Sequence, residues 1–294
     1  MPFTTLIEAS MLFEHLNDPD WVVADCRYSL EDPEKGRKDY QEAHIPGAVY
    51  AHVDEDLSGP VIRGRTGRHP LPAPAMLAQR FSSWGIGERV QVIAYDDKGG
   101  AMAARLRFLL RWLGHQAVAV LDGGWPQWVK YGYSSRRGVE TRPRQEFDPH
   151  PRPELIVTTD QVVNIIAKHS PDNPLLFDSR APERYRGEQE TIDPVAGHIP
   201  TATSAPYAAN LTAEGRFLPI PELRARFEKL LAETPPEQAV FYCGSGVTAA
   251  HNLLALAHAG MGEARLYAGS WSEWITDPSR PISTGNPDQP TTNN

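Results

Sequence analysis

Only two cysteines occur in 294 residues, Cys26 and Cys243. Two thiols cannot build the disulfide framework of a small secreted fold, and they do not have the C-x-x-C spacing of a metal site or redox pair. A single reactive thiol is what they leave open. Cationic residues are also in short supply, since 29 Lys and Arg face 37 Asp and Glu for a formal net charge of -8. Binding to nucleic acid needs a basic footprint, so a polynucleotide partner is excluded and any cationic site has to be local. No stretch approaches the roughly 20 apolar residues of a membrane span. The amino-terminal MPFTTLIEAS lacks the cationic region and apolar core of a signal peptide, and the expectation is a cytoplasmic protein without a membrane partner. No strand pattern is followed by G-x-G-x-x-G or G-x-x-x-x-G-K-S/T, so no nucleotide, flavin or other cofactor is expected, and no metal.

What is present is a sequence written twice. WVVADCR (Trp21 to Arg27) resembles LLFDSR (Leu175 to Arg180), and AHIPGA (Ala43 to Ala48) resembles GHIPTA (Gly197 to Ala202). VIAYDDKGGAMAA (Val92 to Ala104) matches AVFYCGSGVTAA (Ala239 to Ala250), and GGWPQW (Gly123 to Trp128) matches GSWSEW (Gly269 to Trp274). The offset runs from 154 residues, between His44 and His198, to 146, between Gly123 and Gly269. That is far beyond a solenoid period and indicates a duplicated domain. The expected organisation is a domain over 1–135, a linker rich in proline and arginine over 136–153, and a second domain over 154–294 that ends in an irregular tail.

Within each copy, short apolar runs such as WVVAD, VQVIAY and AVAVL alternate with helical stretches such as GAMAARLRFLLRWLG. Strand, helix and strand in close succession predict an α/β fold with a parallel sheet in each copy and helices on both faces. Ligands of such sheets sit beyond the carboxyl ends of the strands. Cys243 falls at that position, between the strand QAVFY and a helix. Gly244 and Gly246 let successive backbone N–H groups curl around a point above the sulfur, and with the helix amino terminus they form a nest that stabilises a thiolate or a terminal anionic sulfur. A buried structural thiol is the commoner fate of a cysteine, and it is the reading for Cys26, which has no glycine-rich loop. The first copy has Asp96 where the second has Cys243. A carboxylate cannot perform thiol chemistry, so one active site per chain is expected.

Phosphatases of the C-x5-R type also cradle an anion above a cysteine, but they need an arginine where this chain has Ala249. The duplicated blocks, the paired histidine-isoleucine-proline segments and the loop CGSGVT together resemble the tandem rhodanese-type sulfurtransferases, over nearly the whole chain. The loop is similar to that of the 3-mercaptopyruvate sulfurtransferases; thiosulfate-preferring relatives carry arginine and lysine at the positions of Gly244 and Ser245. A neutral loop suits a donor with one carboxylate better than the thiosulfate dianion.

The resemblance implies two tandem rhodanese-like domains, the first catalytically inactive. It implies a sulfurtransferase in which Cys243 takes sulfur from a small-molecule donor and passes it to a thiol, cyanide or a reducing protein such as a thioredoxin. 3-Mercaptopyruvate is the expected donor; thiosulfate, or a carrier role within a protein complex, is the alternative. The persulfide would rest on the N–H groups of Gly244, Ser245, Gly246, Val247 and Thr248, and Ser245 would serve the departing pyruvate or simply form the turn. Arg184 matches a family arginine that clamps the donor anion, with Arg186 as the alternative. Relatives place a second arginine in an E-P-R pattern, near which this chain has Asp193. His44 matches a family histidine proposed to work with the loop serine, yet His198 repeats it in the other copy, as a packing role would.

Overall fold

The computed structural model describes residues 2–168 and 173–285. The chain forms two compact units, and neither is a contiguous half. Unit 1 comprises residues up to Pro60, Leu71–Pro153 and Asn210–Ile220; unit 2 comprises Val61–Pro70, Glu154–Ala209 and residues from Pro221 onward. Boundaries at 135 and 154 therefore miss two short segments, each of which belongs to the unit built mainly from the other half of the sequence.

In unit 1 the strands are β1 (Leu6–Ile7), β2 (Trp21–Asp25), β3 (Val49–Tyr50), β4 (Gln91–Tyr95) and β5 (Val118–Leu121). They form a parallel sheet in the order β1-β5-β4-β2-β3. Every residue of β4 and β5 is buried, which explains why these strands are continuous apolar runs rather than alternating ones. Ile93, Tyr95, Ala119, Leu121 and Trp128 belong to one core cluster.

Residues 136–153 do not form a free linker. Arg136 exchanges both backbone hydrogen bonds with His44, the Glu140 N–H donates to the Tyr40 hydroxyl, and Phe147 is buried with its N–H on Ser82 Oγ. The prolines keep this stretch extended, but the N–H groups of Arg136, Gly138, Glu140, Gln145, Phe147, His150 and Arg152 all bond to unit 1.

Unit 2 repeats the plan with β6 (Ile156–Val157), β7 (Leu175–Asp178), β8 (Thr203–Ser204), β9 (Ala239–Tyr242) and β10 (Arg265–Tyr267), all parallel in the order β6-β10-β9-β7-β8. The helix Thr159–Ala167 opens with a capping box in which Thr158 and Gln161 satisfy each other's backbone N–H groups. Part of the expected irregular tail packs: Trp274 Nε1 donates to the Pro281 carbonyl, and Ser283 pairs with His198. Its end, 286–294, lies outside the described residues. Among the described residues no helix is long and apolar enough to cross a membrane.

Both switch-point strands, β4 and β9, run straight into a loop and then a helix, Ala103–Trp112 after β4 and Ala249–His258 after β9. Those two loops carry Asp96 and Cys243.

Candidate active site

Cys243 is 2% exposed, at the carboxyl end of β9. Its N–H donates to Ser270 Oγ at 3.1 Å, and its carbonyl accepts from the Trp271 N–H at 3.0 Å. The sulfur accepts the Gly246 N–H at 3.1 Å. Gly246 has φ +77°, and a Cβ there would lie 2.3 Å from the Ala268 carbonyl oxygen. Glycine is therefore required twice over, by conformation and by space. Ser270 holds φ +56°, a left-handed conformation unusual for a side-chain-bearing residue. Its hydroxyl donates to the Tyr267 carbonyl at 2.9 Å while accepting from Cys243, so the strained residue anchors the backbone of the thiol.

Ser245 Oγ lies 2.7 Å from Nδ1 of His69, and both side chains are buried. His69 comes from Val61–Pro70, the segment that joins unit 2. The preceding residues fix it: Arg68 N–H donates to Ser272 Oγ at 3.1 Å, and a Cβ on Gly67 would come within 2.7 Å of the Gly269 carbonyl oxygen.

The expectation that His44 partners the loop serine is corrected. Its Nδ1 is 2.7 Å from the Tyr40 carbonyl oxygen and its ring stacks on Tyr40, all within unit 1. His198 does the same with Tyr185, at 2.7 Å and again stacked. A feature used identically by both copies is packing.

Arg184 Nη2 reaches Asp193 Oδ2 and Glu190 Oε1, each at 2.9 Å, and its Nε meets both Glu190 oxygens. Burial opposes ionisation of Glu190, but hydrogen bonds from Arg184 and from the N–H groups of Asp193 and Ile192 outweigh it and hold its pKa below the ordinary 4.5. Arg68 Nη1 binds the other oxygen of Asp193. Arg68 and Arg184 both stand over the Cys243 loop, because a Cβ built on Gly244 would be 2.9 Å from Arg68 Nη2 and 3.7 Å from two Arg184 nitrogens. Arg186 instead pairs with the exposed Glu188 at 2.7 Å. Arg180 binds Asp178 at 2.6 Å, donates to the Gly197 carbonyl and lies over the Trp271 ring, which supports the wall of the site.

Cys26 is fully buried, its sulfur 3.9 Å from the Ala24 carbonyl oxygen. Burial first, then the charges of Asp96, Asp25 and Asp56, push its pKa well above the usual thiol value, which leaves it inert. The nest of unit 1 is filled by its own side chain. Asp96 Oδ1 accepts the N–H groups of Lys98 and Gly100, and Oδ2 those of Met102 and Ala103, at 2.7 to 2.9 Å.

For metal ligands, the described residues bring Glu34, His52 and Glu55 together. Those groups are already committed: Arg37 bonds both glutamates, His52 Nε2 faces the Pro33 carbonyl, and its Nδ1 accepts the N–H groups of Asp54 and Glu55.

Arg68 and His69 were not singled out by motif reading. A signal exists. GRHPLP (Gly67 to Pro72) is echoed by GRFLP (Gly215 to Pro219), a further repeat block; Gly67 to Pro70 of the first copy and all of the second fall in the two exchanged segments.

The rhodanese-like domain model matches residues 8–131 and 158–277. The chain is 48% identical to a probable 3-mercaptopyruvate sulfurtransferase of Pseudomonas aeruginosa, over 97% of this chain and all of that protein. It is 38% identical to a putative thiosulfate sulfurtransferase of Mycobacterium tuberculosis, covering 95% of this chain and 97% of the relative. The crystal structure of the 3-mercaptopyruvate sulfurtransferase of Escherichia coli superposes with a TM-score of 0.79 at 30% identity, over 92% of this chain and 100% of that one. A twice-repeated parallel sheet with one thiol loop thus defines the class. The chain belongs to the rhodanese family and is a tandem-domain sulfurtransferase enzyme.

Proposed function

We propose that the enzyme takes sulfur from 3-mercaptopyruvate and passes it to a thiol, to cyanide or to a reducing protein such as a thioredoxin, through a persulfide on Cys243. The observation that carries this reading is the Ser245–His69 pair at 2.7 Å, set two residues from the thiol. A donor that departs as an enolate needs a hydrogen-bond donor and a proton source beside the leaving group; a donor that departs as sulfite does not.

In the first step the Cys243 thiolate attacks the sulfur of 3-mercaptopyruvate. The S–S bond forms as the C–S bond breaks, and the electron pair of that bond goes to carbon as the pyruvate enolate. Ser245 Oγ–H stabilises the enolate oxygen, with His69 orienting the hydroxyl, and protonation at carbon yields pyruvate. In the second step an acceptor thiolate attacks the outer sulfur and Cys243 leaves as thiolate. Between the steps the outer sulfur rests in the nest. The four N–H groups on the Asp96 carboxylate, those of Lys98, Gly100, Met102 and Ala103, correspond in the repeat to Ser245, Gly246, Thr248 and Ala249. This supports a cradle at Ser245, Gly246 and Thr248 of the expected loop, extended to Ala249 at the first residue of the helix; the positions of Gly244 and Val247 have no counterpart among the four. Unpaired cysteines suit a reducing compartment, and we place the reaction in the cytoplasm.

Thiosulfate is the second reading, favoured by the guanidinium groups of Arg68 and Arg184 over the loop. Comparing kcat/KM for the two donors with one common acceptor decides: a ratio above one for 3-mercaptopyruvate supports the proposal, and a ratio below one transfers the assignment to thiosulfate.

A further inference from the structure

The loop itself is neutral, yet two cations cover it, and the structure shows what restrains them. Arg68 and Arg184 are bridged by one carboxylate, that of Asp193, whose side chain is 1% exposed. Arg184 also shares Glu190 with Arg180, and Arg180 is matched by Asp178. Around the thiol loop, three guanidinium groups (Arg68, Arg180 and Arg184) thus stand against three carboxylates (Asp178, Glu190 and Asp193). Beside the Cys243 thiolate, a monoanionic donor entering this balanced network adds one uncompensated negative charge, and a dianionic donor adds two. The thiol and the carboxylates of the network are buried, with the Asp193 and Glu190 side chains 1% and 4% exposed, and there an excess charge is screened less than in water. The cations are nonetheless oriented to receive an anion: Arg68 Nη2 and both terminal nitrogens of Arg184 face Gly244, and among the described residues the buried Arg68 Nε has no hydrogen-bond partner.

We propose that Arg68 and Arg184 form the clamp for the donor's anionic group, and that Asp193, by bridging them, is the specificity-determining residue that restricts the clamp to singly charged donors. Arg68 thereby supplies the cation that relatives place in the E-P-R pattern, from the opposite half of the sequence. Asp193 acts through the arginines and is a positioning residue. This deepens the proposed function and rests on it.

The same network limits what the loop's own side chains could add. An arginine placed at position 244 would enter space already held by two guanidinium groups.

The test is kcat/KM for thiosulfate and for 3-mercaptopyruvate in wild type, Asp193→Asn and Arg68→Met, with one acceptor. Folding and thiol access are checked by alkylation of Cys243. Asp193→Asn adds one net positive charge and is expected to raise the thiosulfate to mercaptopyruvate ratio by on the order of tenfold. Arg68→Met is expected to raise KM for both donors, more for thiosulfate, with a smaller effect on kcat. If wild type uses mercaptopyruvate and the ratio is unchanged in Asp193→Asn, the charge-balance proposal is overturned while the function stands. An unchanged KM in Arg68→Met overturns the clamp. If wild type gains no sulfur on Cys243 from either donor, the functional reading falls and this proposal falls with it.

Discussion

The two switch-point loops of this protein are a controlled comparison made by gene duplication. Both follow a buried strand, both lead into a helix, and in both the residue at the strand end accepts a backbone N–H from the start of the GGWPQW or GSWSEW block: Trp125 on Asp96 and Trp271 on Cys243. Each is accompanied by an exchanged segment. In unit 1 the segment brings Arg216, paired with Asp122 and Glu8, and the buried Phe217. In unit 2 the same positions are Arg68 and His69. Unit 1 therefore has a carboxylate, Asp96, at the position of the Cys243 thiol and an apolar ring, Phe217, at the position of the His69 imidazole. Its nest survives because Asp96 occupies it permanently, with four hydrogen bonds to oxygen. The lesson is that the same strand-to-helix turn gathers backbone N–H groups onto an acceptor in both units, four onto the Asp96 carboxylate in one and that of Gly246 onto the Cys243 sulfur in the other.

The sharpest way to break that comparison is Cys243→Ser, expected to lower sulfur transfer from every donor by roughly 10³-fold or more. Cys26→Ser should leave steady-state kinetics unchanged, because Cys26 has no nest and burial keeps it protonated. Next in size, His69→Gln or Ser245→Ala should reduce kcat with 3-mercaptopyruvate by about a hundredfold. Thiosulfate turnover should fall much less in the same variants, since sulfite leaves without an enolate to stabilise; equal losses would remove the enolate role from this pair.

In unit 1, Asp96→Asn replaces two accepting oxygens by one and turns an N–H pair toward backbone donors. Urea unfolding should show a loss of about 3 kcal/mol while kcat of the folded enzyme is retained. An unaffected urea midpoint would mean that the nest tolerates being empty. The smallest effect concerns Glu190. Its pKa is lower folded than unfolded, so its contribution to stability is full above the ordinary value of 4.5 and is lost as pH falls through the folded value. Glu190→Gln should melt below wild type at neutral pH, and the gap should close on acidification below 4.5. A gap constant with pH would assign the loss to packing instead.

Much of this was legible in sequence for a physical reason. Buried parallel strands have to be continuous apolar runs, and a tight strand-to-helix turn has to carry glycine, so β4, β9 and the Cys243 loop announce themselves. His44 misled because its histidine-isoleucine-proline context is conspicuous, while the repetition at His198 already pointed to packing. Arg68 and His69 were harder to find because they sit in a polar stretch without periodicity, and their partners Asp193 and Ser245 lie 125 and 176 residues away. Only the echo GRHPLP and GRFLP ties that stretch to the repeat, and only the exchange of segments brings it to the thiol loop. Asp193 looked like a lost cation; the structure makes it the bridge between two cations.

The central claim is that Cys243, and no other residue, carries the sulfur between half-reactions. The most direct measurement is mass spectrometry of the intact and then digested protein after mixing with 3-mercaptopyruvate in the absence of any acceptor. The account predicts a gain of one sulfur atom, confined to the peptide that contains Cys243 and discharged on adding a thiol. An unmodified protein, or sulfur found on Cys26, would contradict it.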